Sequence, residues 1–214
     1  MKANRLDMLI YQIDLELKQA TAEVEQLINS QLIGRGYDEI ERQAGILGDT
    51  VTRNMQIDVE TIAHASFHSA KWSDRVWKNN NEVRAKISNA MRQYVVQGIP
   101  TSKALKALEK MVKSNVSNAS YAARRIIVTE RQRVAAEVQT KIYEEAGVKW
   151  IKFITEPGCC EICRDLDGKV FKIEDAEAGS NMRPIHPNCR CSTTMANAPY
   201  EETGDPFDEW LETC

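Results

Sequence analysis

Apolar residues recur at spacings of three and four from Leu6 through Leu9, Ile10, Ile13, Leu17, Ala20, Val24, Leu27 and Ile28 to Leu32. This spacing predicts an amphipathic helix over residues 2–32, with one stripe that must find a partner to be buried. Gly34-Arg35-Gly36 is expected to interrupt it. A second helical segment, Tyr37 to Ser66, is less regular. Gly45 and Gly48 weaken it, so a break near residue 48 is expected, with Asp49 or Thr50 capping its second half. Ser73 reads as the N-cap of the next helix, with Trp72 as a staple and Val76, Val83, Ile87, Met91, Tyr94 and Val95 facing inward. Gly98 and Pro100 end that helix near Gln97. A short helix, Ser102 to Val112, is expected to close at the polar stretch Ser114 to Ser120. The last long helix spans about Ala119 to Ala146, with Gly147 just past its end.

Beyond Gly147 the period changes. Val148, Trp150, Phe153 and Ile154, with Lys149 and Lys152 between them, read as a strand. Val170 to Ile173, after the turn Asp167-Gly168, reads as a second, and Cys191 to Met195 as a third. Residues 197–214 carry six acidic side chains and no basic one, which makes them an acidic tail. A solvated end accounts for that composition. A docking segment with Phe207, Trp210 and Leu211 as anchors is the sharper reading.

The cysteines change the picture of the small β segment. Cys159, Cys160, Cys163, Cys189 and Cys191 fall within 33 residues, and the chain before them has none. A disulfide scaffold would spread its cysteines over the domain that it staples, so this clustering points to a metal ion rather than to disulfides or free thiols. Structural zinc takes four soft or borderline ligands in a tetrahedron. Cys160-Glu161-Ile162-Cys163 supplies one two-ligand corner. His186-Pro187-Asn188-Cys189-Arg190-Cys191 supplies the other, after 22 intervening residues. Cys160, Cys163, His186, Cys189 and Cys191 are thus five candidates for four places. Cys189 and Cys191, two apart on a strand, would face the same side. Cys159 reads as a bystander. A site filled by protein ligands leaves no position for an activated water, so the metal is expected to be a structural cofactor and the protein not an enzyme.

The fold class expected is therefore α+β: a mainly α-helical bundle followed by a small antiparallel β module of zinc-ribbon type. The expected division is a helical region at 1–146, with breaks near 48 and near 70, a zinc-binding module at 147–196 and the tail at 197–214. Other clusters carry less chemistry. His64 and His68 lack the intervening glutamate of a zinc-protease helix and read as ordinary helix residues. Asp165 and Asp167 flank a turn. Arg124, Arg125, Arg131 and Arg133, with Glu130 among them, read as a solvated face or an ion-pair seam, with a phosphate-contacting face as the alternative. Trp72 and Trp77 read as a helix entry wedged into the bundle. The net charge of -3 and mean hydropathy of -0.45 describe a mixed-charge chain. No run of eighteen apolar residues predicts a membrane span, and the N-terminus lacks an apolar secretory segment, so assembly in a cytoplasm is expected.

These motifs resemble a known family. Cys160-Glu161-Ile162-Cys163, Leu166-Asp167-Gly168-Lys169-Val170-Phe171 and His186-Pro187-Asn188-Cys189-Arg190-Cys191 follow the order of the C-terminal domain of phage head morphogenesis proteins, the minor head proteins related to the F protein of phage Mu. Arg125-Ile126-Ile127-Val128-Thr129-Glu130 is similar to the Arg-x3-Thr-Glu stretch that precedes it there. With the segments around Trp72 and from Gly98 to Leu108, the resemblance covers about residues 70–195. It implies a structural minor head protein of a tailed phage or prophage, located in the virion head or procapsid and assembled in the host cytoplasm. The implied partners are the portal protein or the major capsid protein, with contact to packaged DNA. A DNA-binding zinc module acting on packaged or ejected DNA is the alternative. The extra thiol at Cys159 and the acidic tail depart from the family pattern.

Overall fold

The helix that begins with the Leu6 stripe does not stop at its glycines. In a computed structural model that describes residues 2–48 and 55–199, α1 runs unbroken over Lys2–Leu47, 46 residues. A glycine inside a helix costs about 1 kcal/mol relative to alanine, so an uninterrupted helix needs a compensating reason. At Gly36 that reason is close approach. A Cβ there would lie 2.4 Å from Val59 Cγ1 and 3.4 Å from Val134 Cγ1. Gly34 faces open space. The helix ends where Gly48 adopts φ +94°, a left-handed value that favours glycine. The expected caps Asp49 and Thr50 lie outside the described residues.

The expected second helical segment divides. Its first half belongs to α1, and its second half is the short helix α2, Val59–His64. Asp58 caps α2 by accepting the Thr61 N–H at 2.9 Å. Helix α3 spans Trp72–Val96 and begins one residue before the expected Ser73 cap. Lys71 occupies the cap position with no side-chain bond. What sets the start is Trp72, which is buried and donates its indole N–H to the carbonyl of Ala63 at 3.0 Å. At the far end Gly98 (φ +64°) donates to Val95 and Ile99 donates to Tyr94, the paired bonds of a Schellman cap.

The two expected helices beyond Pro100 are one. Helix α4 spans Thr101–Glu145, 45 residues. Serine and asparagine cost only tenths of a kcal/mol each in a helix, and the Ser114–Ser120 stretch contains no glycine or proline. Asn115 turns its amide back onto the Met111 carbonyl at 2.9 Å. Leu108, Met111 and Ala119 pack with Val83, Ile87 and Met91 of α3 and Leu6, Ile10, Ile13 and Leu17 of α1. Tertiary packing thus carries the helix through a stretch of weak formers. A second Schellman cap closes it, with Gly147 (φ +73°) bonded to Glu144 and Val148 bonded to Tyr143.

Helices α1, α3 and α4 pack on one another, and α2 fits between α1 and α4. The antiparallel sheet beyond α4 has β1 (Trp150–Ile154) between β2 (Val170–Lys172) and β3 (Ser192–Ala196). The strands form where the period-two pattern places them, and the fold is α+β as expected. Ile151 pairs with Phe171 on one side and Met195 on the other. Ile151 lies in the same apolar cluster as Ile28, Leu32, Val138 and Ile142, so the sheet and the helices share a core. Two residues along β1, Phe153 enters a second cluster made with Cys163, Cys189 and Cys191. One strand therefore joins the bundle to the cysteines.

The paired glycines of α1 give a direct test of this packing. Gly36→Ala is expected to destabilise the protein by about 1–3 kcal/mol through overpacking against Val59. Gly34→Ala is expected to be neutral or to stabilise by up to about 1 kcal/mol. Urea denaturation of the two variants beside the unsubstituted chain reads both values.

Candidate metal centre

Two loops bring the ligand-type side chains together. The first comes after β1. Gly158 (φ +79°) turns the chain, and Cys160 sits at the N-cap of a one-turn helix, α5 (Glu161–Arg164). The backbone N–H of Cys163 points at the Cys160 sulfur and holds that thiol below its ordinary range. The second loop leads into β3. Cys189 donates its N–H to the His186 carbonyl at 3.0 Å, which closes a turn with Asn188 at φ +65°. Asparagine tolerates that left-handed conformation better than most residues. The Asn188 N–H donates to Thr129 Oγ at 3.1 Å, and the Thr129 hydroxyl donates to the Arg125 carbonyl at 2.7 Å. The Arg125–Thr129 segment of α4 thus fixes the second ligand loop to the bundle.

The geometry suits a tetrahedral ion. The Sγ atoms of Cys160 and Cys163 lie 3.1 and 3.2 Å from His186 Nε2. Cys163 Sγ lies 3.9 Å from Cys189 Sγ. Metal–sulfur bonds of about 2.3 Å at tetrahedral angles put neighbouring sulfurs about 3.8 Å apart. His186 Nδ1 lies 2.8 Å from the Pro187 carbonyl, which can only accept. The proton therefore sits on Nδ1 and leaves the Nε2 lone pair facing the thiols, the tautomer a metal requires. Cys160, Cys163 and His186 form one close trio, and Cys163, Cys189 and Cys191 form another. Cys163 belongs to both. Burial pushes the Cys163 thiol well up, reinforced by its neighbouring sulfurs, and burial likewise pushes up Cys191. Three buried sulfurs cannot ionise together without a cation to compensate. The cluster can coordinate a metal ion, and its donor set is soft. Cys191 lies one residue before β3, so strand alternation does not bring it beside Cys189. Cys159 packs against the cluster and belongs to neither trio.

A polar network behind the second loop went unread in the sequence. Arg183, 3% exposed, donates to Gln139 Oε1 at 2.9 Å and lies 3.7 Å from Glu39. Gln139 also accepts the Thr193 hydroxyl at 2.6 Å and donates to the Thr193 carbonyl at 2.9 Å. Glu39 is fully buried and accepts from Arg35, Arg42 and Gln43. Burial alone would raise the Glu39 pKa. The hydrogen bonds of Arg42 and Gln43 and the charge of Arg183 outweigh burial and hold it below 4.5. Burial pushes Arg183 down to about 10, so it stays charged at neutral pH. The signal was spacing. Glu39 and Gln43 continue the inward row of Ile28, Leu32 and Gly36.

The other sequence expectations sort by burial. Arg133 is inside, bonded to Glu130 at 2.6 Å, to Glu137 and to the carbonyls that end α2 at Ile62 and Ala63. Arg131 bonds Gln31 on α1. These two form the ion-pair and helix–helix seam. Arg124 and Arg125 are exposed and line a cleft of about 420 Å³ with Cys160, His186 and Arg190. His64 stacks on Trp72, and His68 lies past the end of α2 against Phe67. Asp167 accepts the Thr155 N–H at 2.9 Å, a turn contact that lowers its pKa. The tail anchors Phe207, Trp210 and Leu211 lie outside the described residues.

Residues 85–194, from the middle of α3 to β3, match the family model of Phage Mu protein F like protein. That span is just over half of the chain and includes both ligand loops, Thr129 and Arg183. The chain belongs to the Phage Mu F-like family. No curated protein and no solved structure matches it. The family is one of head morphogenesis, so this Mu F-like chain is classed as a structural head protein rather than a catalyst. None of its described helices is long and apolar enough to cross a membrane.

The Glu39 network predicts acid sensitivity. A carboxylate whose folded pKa is depressed adds stability above its unfolded value, here 4.5. That stability is lost as pH falls through the lower folded value. The midpoint of thermal unfolding should therefore drop on acidification below about pH 4.5. Glu39→Gln should lower it already at neutral pH, by about 3–5 kcal/mol of stability, because the buried Arg183 charge loses its counter-charge. The same variant should flatten the acid limb of the profile, read by circular dichroism across pH.

Proposed function

We propose that this Mu F-like protein is a structural minor head protein of a tailed phage or prophage, and that it associates with the portal or the inner capsid surface during head morphogenesis. The observation that carries this reading is the family match over residues 85–194, which contains the whole Cys/His cluster. In this reading residues 1–146 form the region that meets the partner, residues 147–196 a zinc-stapled module, and residues 197–214 an acidic tail. The place of action is the virion head or procapsid. Exposed apolar side chains on the helices, among them Met8, Leu9 and Leu15 of α1 and Leu105 of α4, support docking through the helical region.

The metal is structural zinc. A soft set of thiolates and one imidazole at tetrahedral spacing supports zinc over oxygen-seeking cations. Cys160, Cys163 and His186 supply three ligands, and Cys189 or Cys191 supplies the fourth. When bound, the ion neutralises thiolates that burial would otherwise keep protonated, and it ties the α5 turn to the loop before β3. The ion contributes folding free energy to a three-stranded module whose own apolar cluster is largely cysteine. A second reading, a DNA-binding zinc module, is favoured by one observation: Arg124, Arg125 and Arg190 line the cleft beside the ligands.

Protein purified without chelator is expected to hold one zinc per chain by elemental analysis. Cys160→Ala with Cys163→Ala should abolish it and expose β1 to hydrogen exchange, and zinc absent from the unsubstituted chain would sink the metal assignment. Of Cys189→Ala and Cys191→Ala, the variant that loses zinc identifies the fourth ligand. Co-expression with the portal protein of the same phage should give a complex that survives size-exclusion chromatography. Separate elution of the two would remove the portal from the reading.

A further inference from the structure

The basic residues of α4 are arranged, not scattered. Residues 101–128 contain six basic side chains and one acidic one, within a chain whose net charge is -3. Lys103, Lys106, Lys110 and Lys113 keep spacings of three and four, and Ser117, Tyr121 and Arg124 continue the same row. That row lies opposite Leu108, Met111 and Ala119, which pack against the other helices. All seven of its members are exposed. From Lys103 to Arg124 the row extends about 32 Å at 1.5 Å per residue. It then runs into the cleft beside the metal ligands, where Arg124 is joined by Arg125 and Arg190.

A solvated helix face is the ordinary explanation for exposed lysines. Such faces usually alternate sign, because Glu–Lys pairs four apart stabilise the helix. Here the single acid, Glu109, is paired with Lys113. None of the ion pairs among the described residues uses Lys103, Lys106, Lys110, Arg124, Arg125 or Arg190. Of the next basic residues of α4, Arg131 bonds Gln31 of α1 at the surface and Arg133 is paired with Glu130 inside the protein. The helix therefore changes use along its length, from internal ion pairing near the sheet to a row of one sign toward Thr101. A protein-binding face would centre on apolar anchors. The row has none from Lys103 to Ser117. An evenly spaced line of cations with no apolar centre suits an evenly charged polyanion.

We propose that the Lys103–Arg124 row of α4, with Arg190 at its end, is a contact surface for the phosphate backbone of double-stranded DNA. The row spans about nine base pairs at 3.4 Å each. It offers no planar amide or guanidinium fork along its lysine part, so it reads charge and not sequence. This deepens the DNA-contact reading and moves its centre from the zinc module to the helix. It stands independently of zinc binding and of portal docking, so failure of either leaves it intact.

The test is a salt series on the full chain with a random-sequence duplex of about 30 base pairs, read by fluorescence anisotropy. Taking Lys103, Lys106, Lys110, Arg124 and Arg190 as five phosphate contacts, affinity should fall roughly 500-fold between about 50 and 200 mM salt. The triple variant K103Q/K106Q/K110Q should bind more weakly and fall only about tenfold over that range, because about two contacts remain. K103R/K106R/K110R should restore both affinity and slope. The triple glutamine variant keeps the packed face of α4, and an unchanged thermal midpoint checks its fold. Absence of binding at the lowest salt, or an equal salt slope in the unsubstituted chain and the glutamine variant, overturns the proposal. Equally tight binding of polyglutamate also overturns it, since the row would then serve an acidic protein surface.

Discussion

Arg183 carries a full charge in a place where water does not reach, and much of the molecule is arranged around it. Its guanidinium meets Glu39 from α1 and Gln139 from α4, and Gln139 in turn holds Thr193 of β3. A charge buried to this depth is tolerated only when it is paired and hydrogen-bonded. The chain supplies those partners from residues 44 to 144 positions away in sequence. The network therefore cannot form in fragments. It forms only when α1, α4 and the sheet are already in register, and it then holds the loop that carries His186 and Cys189 in place.

The ligand loop has two anchors of different kinds. Arg183 is the charged anchor behind it, and Thr129, which accepts the Asn188 N–H, is the neutral anchor beside it. Between them the loop has little freedom, and the His186 ring is oriented further by the Pro187 carbonyl. Both residues of the Thr-Glu pair of α4 thus serve the arrangement around the cysteine motifs. Thr129 faces the ligand loop, and Glu130, one residue on, pairs with Arg75 and Arg133 to lock α3 and α4 together. A metal ion entering such a site meets ligands already oriented and loses little entropy in ordering them.

The two long helices divide their labour along their length. Near the sheet they bury a mixed core of aliphatic and polar side chains. Toward Lys2 and Thr101 they share a thinner core of Leu6, Ile10, Ile13, Leu108 and Met111 with α3 and expose more of their surface. The matched family segment begins inside α3 and so covers the end of α3, all of α4 and the sheet up to β3. The segments before it, α1 and α2, contribute Glu39, Gln43 and the α2 carbonyls, which complete polar networks inside the matched part.

Local chemistry was enough to place the strands and the Schellman glycines Gly98 and Gly147, and to single out five ligand candidates. Each depends on a short-range rule: period two, a left-handed φ, or the reach of one metal-binding turn. The helix ends predicted at Gly34–Gly36 and Ser114–Ser120 did not occur, because propensity is worth about 1 kcal/mol or less per residue and packing outweighs it. Gly36 was misread for a related reason. A glycine that breaks a helix and a glycine that admits Val59 look identical until α2 is in position. The Arg183 network was likewise hidden, since a buried polar residue differs from an exposed one only in its neighbours. Burial of charge is a property of the assembled core, and no window of the sequence contains the Glu39, Gln139 and Thr193 that make Arg183 tolerable.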